Sequence, residues 1–184
     1  MNMVFLKAIR YRFRGCIHSF RDWRCQRAIK HRVYDARDLF FMENRSDGFN
    51  RYDIIVRLLA VEDYHGLNEY GFRMYEKMQA ARMGEAWVNP AVDRFKKLIQ
   101  SYDENGYDKA SEIKLDKNLH LLDGSHRMAM ALYYHTYAIS CKVFPTTKEV
   151  RYGLNLFVEY GFTKEEINLL KSRFSQLVIE IQNR

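Results

Sequence analysis

The segment Leu-His-Leu-Leu-Asp-Gly-Ser-His-Arg, which ends at Arg127, holds the side chains of this chain that are best suited to chemistry. Its apolar run stops at Asp123-Gly124, and Ser125-His126-Arg127 then opens a helical pattern. A helix start presents unpaired backbone N–H groups and the positive end of the helix dipole, and both attract anions. His126 and Arg127 add donors, Gly124 permits a tight turn, and the carboxylate of Asp123 suits Mg²⁺ or a proton. The pattern predicts a phosphate site, and its alternative is a solvated strand–turn–helix joint.

The composition is that of a folded chain of about one domain. Its 184 residues are 47% hydrophobic and 15% aromatic, which supplies a core and argues against disorder. No apolar run approaches the roughly 18 residues of a membrane-spanning helix, and the first eight residues lack the features of a signal peptide. The three cysteines share no metal-ligand spacing, so we interpret them as free thiols of a cytoplasmic protein (Cys16, Cys25, Cys141).

Residues 1–34 carry the positive charge of the chain. They contain nine lysines and arginines against one acid, whereas the rest of the chain is nearly neutral. Large apolar residues recur there at helical spacing (Phe5, Ile9, Phe13, Ile17, Phe20, Trp23). This pattern predicts a basic amphipathic helical arm. Three uses stay open: packing on the domain, docking at the inner face of an anionic membrane, and, less favoured, contact with nucleic acid.

The remaining chain divides into three predicted segments. Residues 35–84 have a helical pattern and form a helical extension, while residues 147–184 form C-terminal helices, the second opened by the capping-box signature Thr163-Lys-Glu-Glu166. The apolar stripe of that last helix predicts packing on the N-terminal half or a homodimer contact. Residues 85–146 predict a helix, a two-stranded hairpin, the Asp-Gly turn, a second helix and a strand, which is an α+β unit.

This central unit resembles the ParB/sulfiredoxin superfamily. The resemblance covers about residues 85–146 and is carried by three stretches: Arg94-Phe-Lys-Lys-Leu-Ile-Gln-Ser-Tyr-Asp-Glu-Asn-Gly106, then Leu-Leu-Asp-Gly-Ser-His-Arg127, then Ala-Met-Ala-Leu with Ile-Ser-Cys-Lys-Val. It implies an α+β fold with a small mixed sheet, flanked by the N- and C-terminal helices. The motif is most similar to that of the free serine kinase branch.

The resemblance also implies roles for single residues. Gly124, Ser125, His126 and Arg127 would contact nucleotide phosphates. Three residues on the preceding helix match positions that touch nucleotide in sulfiredoxin-like members (Arg94, Lys97, Ser101). Asp123 matches the aspartate of the kinase branch that serves the metal or the transferred proton, and His126 would assist catalysis.

Departures from the family pattern limit the reactions that the resemblance implies. Ser125 stands where sulfiredoxin has its reactive cysteine, which argues against peroxiredoxin repair. The kinase branch has a glutamate shortly before the first helix, and Glu85 is the nearest candidate, although it lies slightly far upstream. Glu62 and Asp63, at a predicted helix end, are the other candidates for the general base.

These observations predict an ATP- or CTP-dependent phosphotransferase that uses Mg²⁺ and acts on a small hydroxylated or glycan-type acceptor. The alternative from another class is a nucleotide-gated, nucleic-acid-binding module without transferase activity. A catalytically inactive scaffold is the third hypothesis, and it predicts that no nucleotide binds.

Overall fold

The computed structural model describes residues 29–45, 48–108, 110–147 and 150–183, and in them the chain has an α+β fold, as the sequence predicts. The predicted basic arm falls almost wholly outside the described residues. Its last part differs from the prediction, because Lys30–Asp35 is a strand and not a helix. This strand pairs antiparallel with Ala138–Val143, and the pairing satisfies backbone groups that a helix would have satisfied internally.

The described elements follow one another along the chain in a mixed order. The strands are β1 (Lys30–Asp35), β2 (Asn44–Arg45), β3 (Gly48–Phe49), β4 (Ile113–Leu115), β5 (Leu121–Asp123) and β6 (Ala138–Val143). The helices are α1 (Ala36–Met42), α2 (Tyr52–Tyr64), α3 (Gly71–Met83), α4 (Val88–Asn105), α5 (Ser125–Tyr133), α6 (Leu154–Glu159) and α7 (Lys164–Gln182). A short 3₁₀ helix, Glu85–Trp87, joins α3 to α4.

Four strands form a small mixed sheet in the order β1-β6-β4-β5. β6 lies antiparallel to β1 and parallel to β4, and β4 forms an antiparallel hairpin with β5. Helix α5 connects β5 to β6, so the Asp-Gly turn lies where an edge strand feeds a helix. The predicted order of helix, hairpin, turn, helix and strand in the central unit is confirmed.

Helix α2 lies at the centre of the core. Every residue from Tyr52 to Val61 is buried, because α3 and α5 cover it on different sides. Gly71 makes the close approach of α3 feasible, since a Cβ atom at this position would overlap the carbonyl group of Leu59. Residues of the 35–84, 85–146 and 147–184 segments share one buried apolar cluster, so the three segments pack as parts of one core.

Two other differences from the sequence prediction have local causes. The 35–84 segment is not helical throughout, since it includes the β2–β3 hairpin. The first of the helices predicted for residues 147–184 begins only at Leu154, because the backbone of Tyr152 forms a bridge with Arg51. The capping box of α7 is confirmed, with Thr163 Oγ1 accepting from the Glu166 N–H and the Glu166 carboxylate accepting from the Thr163 N–H. No helix among the described residues is both long and apolar enough to cross a membrane.

Candidate functional site

A cavity of about 410 Å³ opens at the start of α5. Its walls come from the N-terminal end of α2, the C-terminal half of α3, the N-terminal half of α4, the β5–α5 turn and the segment around Tyr152. Among the described residues that line it, one is an acid, Asp123, and four are arginines (Arg51, Arg57, Arg82, Arg94). We call this cavity the arginine pocket. Its volume lies in the range of small-molecule sites, and its charge suits an anion.

The turn before α5 is built on Gly124. Its φ of 108° and ψ of 21° are left-handed, and a Cβ atom there would lie 3.0 Å from the Ile113 side chain. A residue with a side chain would therefore be strained in both backbone and packing. Gly124 is thereby required to place Ser125 and His126, the first two residues of α5, at the pocket wall.

A buried ion cluster, of which Arg51 and Arg57 line the cavity and Asp53 lies behind them, supports the inner wall of the pocket. The Asp53 carboxylate accepts from Arg51 Nε at 2.8 Å and from Arg57 Nη1 at 3.1 Å, and all three side chains are at most 3% exposed. Burial alone would raise the pKa of Asp53, but the two arginines lower it to about 2, so the carboxylate is ionised. Asp53 therefore holds two buried cations in place, and the buried Glu43 carboxylate, 3.7 Å from Arg51 Nη1, adds a second counter-charge to Arg51.

Arg57 is not fully satisfied by this cluster. Its Nη1 donates to the backbone oxygen and the carboxylate of Asp53, yet its buried Nε finds no hydrogen-bond partner among the described residues. Burial lowers the pKa of Arg57, although Asp53 opposes the effect. A buried donor without a partner is costly, and an anion in the pocket would offset that cost.

Ser125 joins the turn to the ion cluster. Its Oγ accepts a hydrogen bond of 2.8 Å from Arg51 Nη2, while Arg51 Nη1 donates to the Leu121 carbonyl oxygen at 2.7 Å. A hydrogen bond from the Ser125 hydroxyl also contributes to the low pKa of Asp53. The hydroxyl is thus held between a buried guanidinium and a buried carboxylate.

His126 faces the pocket as a neutral imidazole. Its Nε2 lies 2.8 Å from the Tyr75 hydroxyl, and its ring packs against Phe95 with centroids 4.5 Å apart. Burial lowers the pKa of His126 well below its usual value, and the positive charges of Arg57 and Arg82 lower it further. A neutral imidazole can donate or accept a hydrogen bond at the pocket without adding charge.

Two further arginines stand nearer the mouth. The Arg82 guanidinium lies over the Tyr152 ring at 5.1 Å from its centroid, and Arg51 lies at 5.6 Å from the same ring. Arg94 is exposed, with its Nε donating to the Pro90 carbonyl oxygen. The Arg82 and Arg94 side chains leave guanidinium N–H groups available at the opening.

The residues predicted from the Asp-Gly motif divide between the pocket and its outside. Asp123, Ser125, His126 and the predicted Arg94 line the pocket, with Gly124 shaping the turn. The Asp123 side chain is 67% exposed at the mouth, 3.8 Å from Lys114 Nζ. In contrast, Arg127 Nη1 donates to the Glu112 carbonyl oxygen at 3.2 Å, and its side chain does not line the pocket.

The other predicted residues lie outside the pocket. The exposed Lys97 and Ser101 are on α4 but do not line the cavity, and Glu85 lies exposed in the 3₁₀ helix. Glu62 Oε1 accepts from Arg173 Nε at 2.7 Å on another side of α2. The Asp63 carboxylate accepts from the Phe72 N–H at 2.8 Å, which is a structural role at the start of α3.

Sequence reasoning missed Arg51, Asp53 and Arg57, the residues that form the inner wall. A signal for them was present, since three charged residues flank or interrupt the strongly apolar stretch of α2. Charged residues that fall on the buried face of a helix are rarely tolerated without a partner. Arg82 carries no such signal, because its helix is polar on much of its surface.

The donor set suits a phosphate together with Mg²⁺. Among the described residues no three His, Cys, Asp or Glu side chains group as ligands, so a metal held by protein alone finds no cage here. Mg²⁺ is commonly held by one or two carboxylates together with substrate phosphates, and Asp123 at the mouth meets that requirement. The guanidinium groups and the start of α5 suit the phosphates themselves.

Comparison with protein families, curated proteins and solved structures gives no match for this chain. The resemblance to the ParB/sulfiredoxin superfamily therefore stays a prediction from the motif, and the site is judged on its own geometry.

Proposed function

We propose that this chain binds the phosphates of a nucleotide in the arginine pocket and transfers a phosphoryl group to a small hydroxylated acceptor. One observation carries the proposal: four arginines surround a cavity of about 410 Å³ that also contains the start of a helix and one acid at its mouth. The excess of positive charge supports a polyanionic ligand.

The parts needed for phosphoryl transfer are positional and electrostatic. Arg51, Arg57 and Arg82 would neutralise phosphate oxygens, and His126 would add a hydrogen bond without charge. Asp123 would hold Mg²⁺ at the mouth, and the ion would supply charge neutralisation between phosphates.

The ion cluster supports preorganisation of the site. Arg51 is fixed by Asp53, by the Leu121 carbonyl oxygen and by Ser125, so it need not reorganise when an anion binds. Because these side chains are ordered before a ligand binds, they can stabilise charge effectively in a desolvated site.

The proposal is tested by following ATP and CTP consumption with Mg²⁺ by phosphorus NMR, in the presence of amino-alcohol and sugar acceptors. We expect consumption that depends on an acceptor and that falls at least about tenfold in Arg82→Ala, the loss of one charge-assisted hydrogen bond. Lys97→Ala, a charge-matched change outside the pocket, serves as the control. Nucleotide binding without turnover would instead identify a nucleotide-gated binding module.

A further inference from the structure

Ser125 has the surroundings of a nucleophile and not only those of a helix-start residue. It is half-buried, it lines the arginine pocket, and its hydroxyl is fixed by Arg51 Nη2 at 2.8 Å. The backbone turn at Gly124 presents this hydroxyl at the end of a strand and the first position of a nine-residue helix. A phosphoryl group held at the helix start would lie within reach of the Ser125 oxygen.

A proton acceptor for this hydroxyl is already in place. The buried Asp53 carboxylate lies beside Ser125, because Arg51 Nη2 donates to Ser125 Oγ at 2.8 Å and to Asp53 Oδ2 at 3.2 Å, and Asp53 is also held by Arg57. Carboxylates in this role take the proton of an attacking hydroxyl in phosphoryl transfer.

We infer that Ser125 is the first phosphoryl acceptor of the arginine pocket, so that a phosphoserine at this position precedes transfer to the external acceptor. The inference rests on the proposed function, which supplies the nucleoside triphosphate as donor. The bond between Ser125 Oγ and the γ-phosphorus forms, the bond from that phosphorus to the β–γ bridging oxygen breaks, and the nucleoside diphosphate leaves. The hydroxyl proton passes to the Asp53 carboxylate.

The product of this step is stabilised by the same surroundings. A phosphoserine at the first position of α5 places its dianion at the positive end of the helix dipole. Arg57, whose Nε finds no partner among the described residues, lines the same pocket, and Arg51 Nη2 already contacts the Ser125 oxygen. In the onward step the acceptor oxygen attacks the phosphoserine phosphorus, and the bond from Ser125 Oγ to phosphorus breaks. Asp53 returns its proton to the serine oxygen, and the acceptor's proton is released to solvent.

The test is to incubate the full chain with γ-labelled ATP and Mg²⁺ without acceptor, and then to measure the intact mass and map the label by peptide sequencing. We expect a gain of one phosphoryl group at Ser125, which disappears on addition of a competent acceptor. Ser125→Ala removes the label, whereas Ser172→Ala, at an exposed serine on α7, keeps it. Ser125→Thr, which retains a hydroxyl, restores part of it.

Two results separate this inference from the proposed function. Acceptor-dependent consumption of ATP that persists in Ser125→Ala, with no label in the wild type, overturns the phosphoserine and leaves direct transfer standing. Absence of both label and consumption in the wild type overturns both. Circular dichroism of each variant ensures that a missing label does not reflect a missing fold.

Discussion

The two ends of the α2–α5 helix pair are opposite in charge and opposite in how that charge is satisfied. The helices run side by side in the same direction, since Arg51 at the start of α2 contacts Ser125 at the start of α5, and His65 at the end of α2 contacts Tyr134 at the end of α5. At each end, the nearby charged side chains have the same sign as the ends of the helix dipoles. Arginines lie at the positive N-terminal ends, and Asp103 lies at the negative C-terminal ends.

At the C-terminal end, hydrogen bonds within the chain offset the repulsion between the charged side chain and the helix dipoles. Asp103, in the last turn of α4, accepts a short hydrogen bond from the Tyr134 hydroxyl, and His65 Nε2 lies 2.9 Å from the same oxygen. The His65 ring stacks on Tyr133 at a centroid distance of 5.2 Å. Burial, together with Asp103, raises the pKa of Tyr134, so the hydroxyl stays protonated and donates.

At the N-terminal end, the positive charge is only partly offset within the chain, and an anionic ligand can offset the rest. Arginines lie beside two positive helix starts, and Asp53 and Glu43 offset only part of their charge. One buried Arg57 donor finds no partner among the described residues. This end also encloses the arginine pocket, in which arginines outnumber acids among the described residues. The other end borders a cavity of about 580 Å³ whose lining residues Glu62 and Arg173 pair with each other. The difference indicates that a helix end becomes a candidate site for an anion when its charge is concentrated and is not fully paired within the chain.

The largest effect should come from removing the acid that holds the arginine end together. Asp53→Ala leaves Arg57 buried without its counter-charge and Arg51 with only the Glu43 carboxylate, 3.7 Å away, so we expect a loss of about 3–5 kcal/mol in the free energy of unfolding. Denaturant unfolding measures it, with Asp93→Ala, at an exposed acid on α4, as control. A loss below about 1 kcal/mol would show that the cluster is not a structural unit.

The turn glycine should give the next largest effect. Gly124→Ala requires a left-handed backbone and a Cβ atom against Ile113, and we expect a cost of about 1–3 kcal/mol together with weaker nucleotide binding. Gly66→Ala is the matched control, since Gly66 has a φ of 73° but a Cβ atom there meets no atom. Equal losses in both variants would show that close packing at Gly124 adds nothing.

The neutral His126 should make the arginine end sensitive to acid. Because its pKa is lowered in the folded state, the unfolded chain binds the proton first as the pH falls through about 6.5. The stability is therefore fully present above that pH and decreases below it, and the decrease should be smaller in His126→Gln. Asp53, with a pKa of about 2, titrates far below this window. Parallel pH profiles of the two proteins would contradict the assignment.

The smallest effect should come from the satisfied end. Tyr134→Phe removes the hydroxyl that donates to Asp103, and we expect a loss of about 1 kcal/mol in the free energy of unfolding. Nucleotide affinity should not change, because Tyr134 lies at the C-terminal ends of the helices and the arginine pocket lies at their N-terminal ends. A loss of affinity comparable to that of Arg82→Ala would show that the two ends are coupled.

The sequence was sufficient to predict the α+β class, the order of elements in the central unit and the residues of the turn. These features depend on local patterns: an apolar run, an Asp-Gly break and a helical period. The capping box of α7 was predictable for the same reason, since Thr163 and Glu166 are three residues apart.

The inner wall of the pocket was not predicted, because its residues are far apart in sequence. Arg51 and Ser125 are separated by 74 positions, and only the packing of α2 on α5 brings them together. The prediction that Lys97 and Ser101 contact nucleotide also fails to place them at the cavity. They share a helix with Phe95, yet they do not line the cavity. The strand β1 was missed because its pairing partner β6 lies more than one hundred residues later.

The central claim is that the arginine pocket binds nucleotide phosphates, and calorimetric titration of ATP with Mg²⁺ into the full chain tests it most directly. We expect saturable binding by the wild type, equal affinity in Lys97→Ala, and an affinity at least about tenfold lower in Arg82→Ala. The absence of binding of both ATP and CTP to the wild type would contradict the account, as would equal losses in the two variants.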